Sequence, residues 1–121
     1  MKKTTYFARL TSGFLNDYLP NEKGVSINTI KSYSYTFILL IKYMHQVMKV
    51  PAHSLSFRHL NKDIIVGFLD WLENERNCSN ATRNQRLAAL SSFIKYTQYM
   101  SPDHLLDYHR ILLIPLKKPR I

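Results

Sequence analysis

Ser79-Asn80-Ala81-Thr82-Arg83-Asn84-Gln85-Arg86-Leu87-Ala88-Ala89-Leu90-Ser91-Ser92-Phe93-Ile94 is the stretch that decides how this chain is read. Ser79 is a helix N-cap. Two polar, doubly cationic turns follow, and then Leu87, Leu90, Phe93 and Ile94 repeat at helical spacing and lock the helix into a core. Two arginines, an asparagine and a glutamine at one helix start exceed what folding needs. They suit a helix whose front end meets a phosphate backbone and base edges.

Working outward, the same pattern recurs. Ser26 opens a second polar helix start, Ser26-Ile27-Asn28-Thr29-Ile30-Lys31-Ser32-Tyr33-Ser34-Tyr35, again with Thr three residues after the cap. That helix runs to about Met48, before Pro51, with Ile27, Ile30, Phe37, Leu40, Ile41, Met44 and Met48 as its inward stripe. An earlier helix, about Thr4 to Tyr18, carries Phe7, Leu10, Phe14 and Tyr18, and Pro20 to Gly24 reads as a turn. Leu55, Phe57 and Leu60 anchor a connection. Asn61 caps a third helix to about Arg76, which buries Ile64, Ile65, Phe68, Leu69 and Leu72. The Ser79 helix extends to about Met100, with Ala81 also on its inner side. A short fifth helix is expected over Pro102 to His109. The expected fold class is all-α, a compact bundle of four to five helices.

Bulk numbers agree. At 121 residues and 45% apolar content, the chain is one globular domain, or one plus tails. Three glycines and no sustained alternation argue against sheet. No apolar stretch approaches a membrane span and no secretory signal is visible. Cys78, the single cysteine, excludes an intrachain disulfide and fits a reducing, cytoplasmic setting. His45, His53, His59, His104 and His109 lack metal-ligand spacing, so no metal and no cofactor are expected.

The net charge of +9 calls for a polyanionic partner. Its distribution along the chain is sharper still. From Lys23 to Lys62 the charges are Lys23, Lys31, Lys42, Lys49, Arg58 and Lys62, with no acid. From Asp63 to Glu75 they are Asp63, Asp70, Glu73 and Glu75, with no base. From Arg76 to Pro102 they are Arg76, Arg83, Arg86 and Lys95, again with no acid. The second and fourth helices therefore read as a cationic face, with the acidic third helix turned away. Pairing of Arg83 or Arg86 with the acids of the third helix is the competing reading.

On these residues the chain resembles the N-terminal core-binding, SAM-like domain of tyrosine recombinases, the phage integrases. The matching parts are Ser26-x-x-Thr29-Ile30-x-x-Tyr33 with Leu40, and Ser79-x-x-Thr82-x-Asn84-x-x-Leu87-x-Ala89-Leu90-x-x-Phe93. Ile111 to Arg120, containing Ile114-Pro115 and Lys117-Lys118-Pro119-Arg120, resembles the family's basic interdomain linker. The resemblance implies a core-binding domain over 1–110 and the start of a linker over 111–121. It implies half of a clamp on double-stranded DNA, for recombination or integration of a mobile element. The DNA-binding positions would be Ser26, Asn28, Thr29, Lys31 and Tyr35 on the second helix. On the fourth they would be Thr82, Arg83, Asn84 and Arg86, and Lys117, Lys118 and Arg120 would add linker contacts. Phosphate contacts are expected from Thr29, Lys31 and Thr82, and base or groove contacts from Arg83, Asn84 and Arg86. Replacing Arg83 and Arg86 together with alanine is expected to weaken DNA binding without unfolding the bundle.

In this family the chemistry belongs to a separate C-terminal domain, where a tyrosine attacks the scissile phosphate. No Arg…His-x-x-Arg…Tyr series stands in this sequence at the family's separations. The fragment is therefore expected not to be an enzyme. Its expected partners are duplex DNA, the catalytic domain of the parent chain and further protomers in a synapse, in a bacterial or phage nucleoid setting, with no membrane. The alternatives are an independent helix-turn-helix regulator, whose short inter-helix turn the links here do not provide, and a helical protein-interaction module.

Overall fold

The computed structural model describes residues 5–118. Among them every regular element is helical and none is a strand. The chain divides between Phe57 and Arg58 into two compact units.

The first unit starts with α1, Tyr6–Gly13, capped by Thr5, whose hydroxyl accepts the Ala8 N–H at 3.0 Å. Winding does not stop at Tyr18. It widens into π-type turns over Phe14–Glu22 with Pro20 inside. Proline has no N–H to lose and clashes with a carbonyl of the preceding α-turn, so a wider turn accommodates it better than a regular one. The expected turn at Pro20 is thus helical. The chain reverses only at Lys23 and Gly24, where Gly24 adopts φ +65, a conformation side chains rarely tolerate. The Lys23 N–H bonds to the Tyr18 carbonyl and the Val25 N–H to that of Leu19, both at 2.9 Å.

Next comes α2, Ile27–Gln46, capped by Ser26. Its buried residues are Thr36, Phe37, Leu39, Leu40, Tyr43 and Met44. Ile27, expected inside, is 69% exposed; Ile41 and Met48 are exposed as well. Ile27 lies at the helix tip, and Ile41 sits at the edge of the Phe37–Leu40–Met44 stripe, which is where a periodicity argument is weakest. The helix ends short of Pro51, with Lys49 in the left-handed region at φ 60. Phe14 is the centre of this unit: it is fully buried, with the Tyr18, Tyr33 and Phe37 rings at 6.0, 6.4 and 6.3 Å. Leu55, Phe57 and Leu60 are buried as expected in the connection, which contains two short 3-10 turns.

In the second unit α3, Lys62–Glu75, begins at Asn61, whose Oδ1 accepts the Ile64 N–H at 3.0 Å. Ile65, Phe68, Leu69 and Leu72 are buried, while Ile64 stays partly exposed. Next, α4 spans Asn80–Met100 and buries Arg83, Leu87, Ala89, Leu90, Phe93, Ile94 and Thr97. Ala81, expected inside, is exposed in the first turn. A 3-10 turn at Pro102–His104 leads into α5, Leu105–Leu112, which runs past His109 because Tyr108 and Ile111 are both fully buried on one face. Helices α3, α4 and α5 pack on one another. Ile114 is buried beyond the end of α5, so the start of the expected linker belongs to the packed body of this unit.

Candidate nucleic-acid interface

The two polar helix starts share one capping geometry. Ser26 Oγ accepts the Thr29 N–H at 3.3 Å and its hydroxyl donates to Thr29 Oγ1 at 3.0 Å. Ser79 Oγ accepts the Thr82 N–H at 3.1 Å and donates to Thr82 Oγ1 at 3.2 Å. Each serine therefore satisfies one of the four donors that a helix start leaves over. The remaining first-turn donors and the helix dipole favour an anion there.

Beyond the caps the two ends differ. At the α2 end, Ser26, Asn28, Lys31 and Tyr35 are exposed and Thr29 is partly so. No acid lies in sequence anywhere from Lys23 to Lys62. At the α4 end, Thr82 and Arg86 are half-buried and Arg83 is only 6% exposed. Arg83 Nε lies 3.3 Å from Glu73 Oε1. One of its terminal nitrogens donates to the Pro115 carbonyl at 3.1 Å and to Asn84 Oδ1 at 3.3 Å. Asn84 in turn pairs with the backbone of Lys117 in both directions, donating to its carbonyl at 2.7 Å and accepting its N–H at 2.9 Å. Asn80 donates to the Lys118 carbonyl at 2.9 Å. Lys117 Nζ reaches Glu73 Oε2 at 2.7 Å.

This geometry corrects one expectation. The acidic third helix does not turn wholly away from the α4 start. Glu73 sits against it and holds two cations, because burying the Arg83 guanidinium requires a counter-charge and hydrogen-bond acceptors. Arg83 and Asn84 are engaged with the chain's own residues 115–118. Lys118 is exposed, and Arg120 lies outside the described residues. The Arg83–Glu73 pair is the competing reading of the sequence, while the ties of Glu73 to Lys117 and of Asn80 to Lys118 escaped it. These partners are up to 44 positions away, and nothing local to either residue signals them.

Cys78 lies beside this cluster, its Sγ 3.5 Å from the Ser79 carbonyl. Burial pushes its thiol above the ordinary range, the Glu73 carboxylate adds to the rise, and Arg86 and Arg83 oppose it. The neutral thiol is thus favoured, and the thiolate fraction develops only at higher pH than for an ordinary cysteine. Alkylation followed against pH is expected to show a midpoint displaced upward. Glu73→Gln, which removes a negative neighbour, should bring the midpoint down. A midpoint unmoved by Glu73→Gln would contradict this placement of the carboxylate.

Among the described residues no group of three or more His, Cys, Asp or Glu side chains is placed to hold a metal ion. No described helix is long and apolar enough to cross a membrane.

Comparison with known proteins gives a family. Residues 13–98 match the family model described as phage integrase, N-terminal SAM-like domain. Two proteins of Sinorhizobium fredii are similar over nearly the whole chain. "Putative integrase/recombinase y4rC" is 36% identical over 118 residues, 98% of this chain and 36% of that protein. "Putative integrase/recombinase y4rD" is 31% identical over 121 residues, 100% of this chain and 43% of that protein. The chain therefore spans less than half the length of these curated relatives. No solved structure gives a significant match. With its all-helical architecture and a match covering most of its length, the chain belongs to the phage integrase N-terminal SAM-like domain family.

Proposed function

We propose that this domain is the DNA-binding arm of a tyrosine site-specific recombinase, and that it grips duplex DNA at the core recombination site. The observation that carries this reading is the α2 start, where exposed Ser26, Asn28 and Lys31 surround a capped helix tip in a stretch with no acid. A phosphate there meets a positive dipole end, N–H donors and a lysine together. Ser26, Thr29, Lys31 and Thr82 serve as backbone contacts. Asn28 and Tyr35 on α2, and Arg86 on α4, are the candidates for groove contacts; Lys118 adds a backbone contact, and Arg120, outside the described residues, is a further candidate from the sequence. Arg83 and Asn84 act indirectly, by fixing the path of residues 115–118. Strand cleavage belongs to the part of the parent protein that this chain does not span, which is also a partner of the domain. Protomer contacts in a synapse complete the assembly in a bacterial or phage cytoplasm.

A gel-shift titration on duplex DNA at two salt concentrations tests this. With about five neutralised phosphates, affinity should fall about 500-fold between roughly 50 and 200 mM salt, following counterion release. Lys31→Ala should weaken binding evenly across sequences and lower the salt slope by about one. Binding that ignores salt, or a Lys31→Ala variant with the parent's slope, would contradict the assignment. Salt-insensitive capture of a protein with no DNA affinity would instead select the protein-interaction reading.

A further inference from the structure

We infer that Glu73 competes with DNA phosphate for Lys117, so that a clasp within the domain withholds one cation until duplex DNA arrives. The inference rests on the DNA-binding reading and adds to it a control built into the fold. The Glu73 carboxylate faces two cations, Arg83 Nε at 3.3 Å and Lys117 Nζ at 2.7 Å. The two are held differently. Arg83 is buried and also donates to the Pro115 carbonyl and Asn84 Oδ1, so it stays where it is. The Lys117 side chain is 43% exposed. A lysine pair open to water is weak and screened by salt, so a polyanion displaces the carboxylate readily.

The backbone of Lys117 is held separately, by the paired hydrogen bonds of Asn84 at 2.7 and 2.9 Å. Its ammonium group can therefore swing from Glu73 to a phosphate while residues 115–118 keep their place across the α4 start. Asn84 is a positioning residue in this arrangement. Lys117 is a phosphate ligand kept in place, and Glu73 occupies it in the absence of DNA. The consequence is discrimination against weak polyanions, since each must displace an internal carboxylate before gaining the contact.

The test uses the 121-residue chain and a duplex of fixed sequence. Glu73→Gln removes the competing charge and keeps the side-chain shape. Glu75→Gln, on the same helix and exposed, makes the same change in net charge away from the clasp. Relative to Glu75→Gln, Glu73→Gln should bind the duplex about 1.5- to 5-fold more tightly at roughly 50 mM salt, the range for releasing one exposed ion pair, with the salt slope kept. Lys117→Ala should lower the slope by about 0.9 in the parent, since the lysine pairs with a phosphate once DNA is bound, and should erase the affinity gain in the Glu73→Gln background. Two glutamine variants of indistinguishable affinity, or a Lys117→Ala protein with the parent's slope, overturn the inference while leaving the DNA reading intact. Absence of duplex binding by the parent at low salt overturns both.

Discussion

Phe14→Ala is expected to destabilise the protein by about 3–5 kcal/mol, the range for emptying a large aromatic site in a packed core. Phe14 is fully buried and meets three rings at once: Tyr18 and Tyr33 stacked with it, and Phe37 edge-on. Each such ring pair contributes about 0.5–1.5 kcal/mol beyond simple burial. The surroundings cannot collapse easily into the void, because Phe14 opens the π-type turns whose far end carries Pro20. A loss of this size consumes much of the roughly 5–15 kcal/mol that stabilises a typical domain. Urea unfolding followed by circular dichroism reads it directly. Tyr99→Ala supplies the internal comparison: Tyr99 is 87% exposed, so its loss should stay within about 0.5 kcal/mol. Similar midpoints for the two variants would mean that the aromatic cluster around Phe14 is not packed as described.

What the sequence revealed, and what it hid, follows the range of the interactions. Ser26, Asn61 and Ser79 are legible as caps because each bond closes within three residues. Phe68, Leu72, Leu90 and Phe93 are legible as core because mid-helix periodicity has neighbours on both sides to enforce it. Ile27 and Ala81 continue the same arithmetic into first turns, where no packed element need lie opposite them, and both are exposed. Pro20 was legible only as a breaker, since the preference for a turn there is statistical and a widened helix satisfies the same missing donor. Charge order along the chain showed sidedness and allowed Arg83 or Arg86 to pair with an acid of the third helix, but not which one. Glu73 meets Arg83 ten positions later and Lys117 far beyond, and which acid meets which base is a tertiary fact. Asn84 read as an adenine-seeking amide is chemically sound; the chain's own backbone at Lys117 offers the same donor and acceptor pair.

Arg83→Ala is expected to lower stability by about 2–3 kcal/mol, somewhat less than the full cost of breaking a buried ion pair, because Glu73 retains Lys117. The variant loses the counter-charge to Glu73 and leaves the Pro115 carbonyl without the guanidinium donor. It also removes the donor that faces Asn84 Oδ1, loosening the hold on residues 115–118. The paired alanine replacement of Arg83 and Arg86 therefore mixes two effects and should not leave the domain's stability intact. Measured singly, the variants separate. Arg83→Ala should melt earlier and, compared at a temperature where both proteins are folded, should keep a salt slope within about 0.5 of the parent's, since a buried guanidinium neutralises no phosphate. Arg86→Ala should lower that slope by about one. An Arg83→Ala protein as stable as the parent but with a slope smaller by one would assign Arg83 to DNA after all. The Glu73 pairing would then be a contact that the duplex breaks, and the clasp would include both cations.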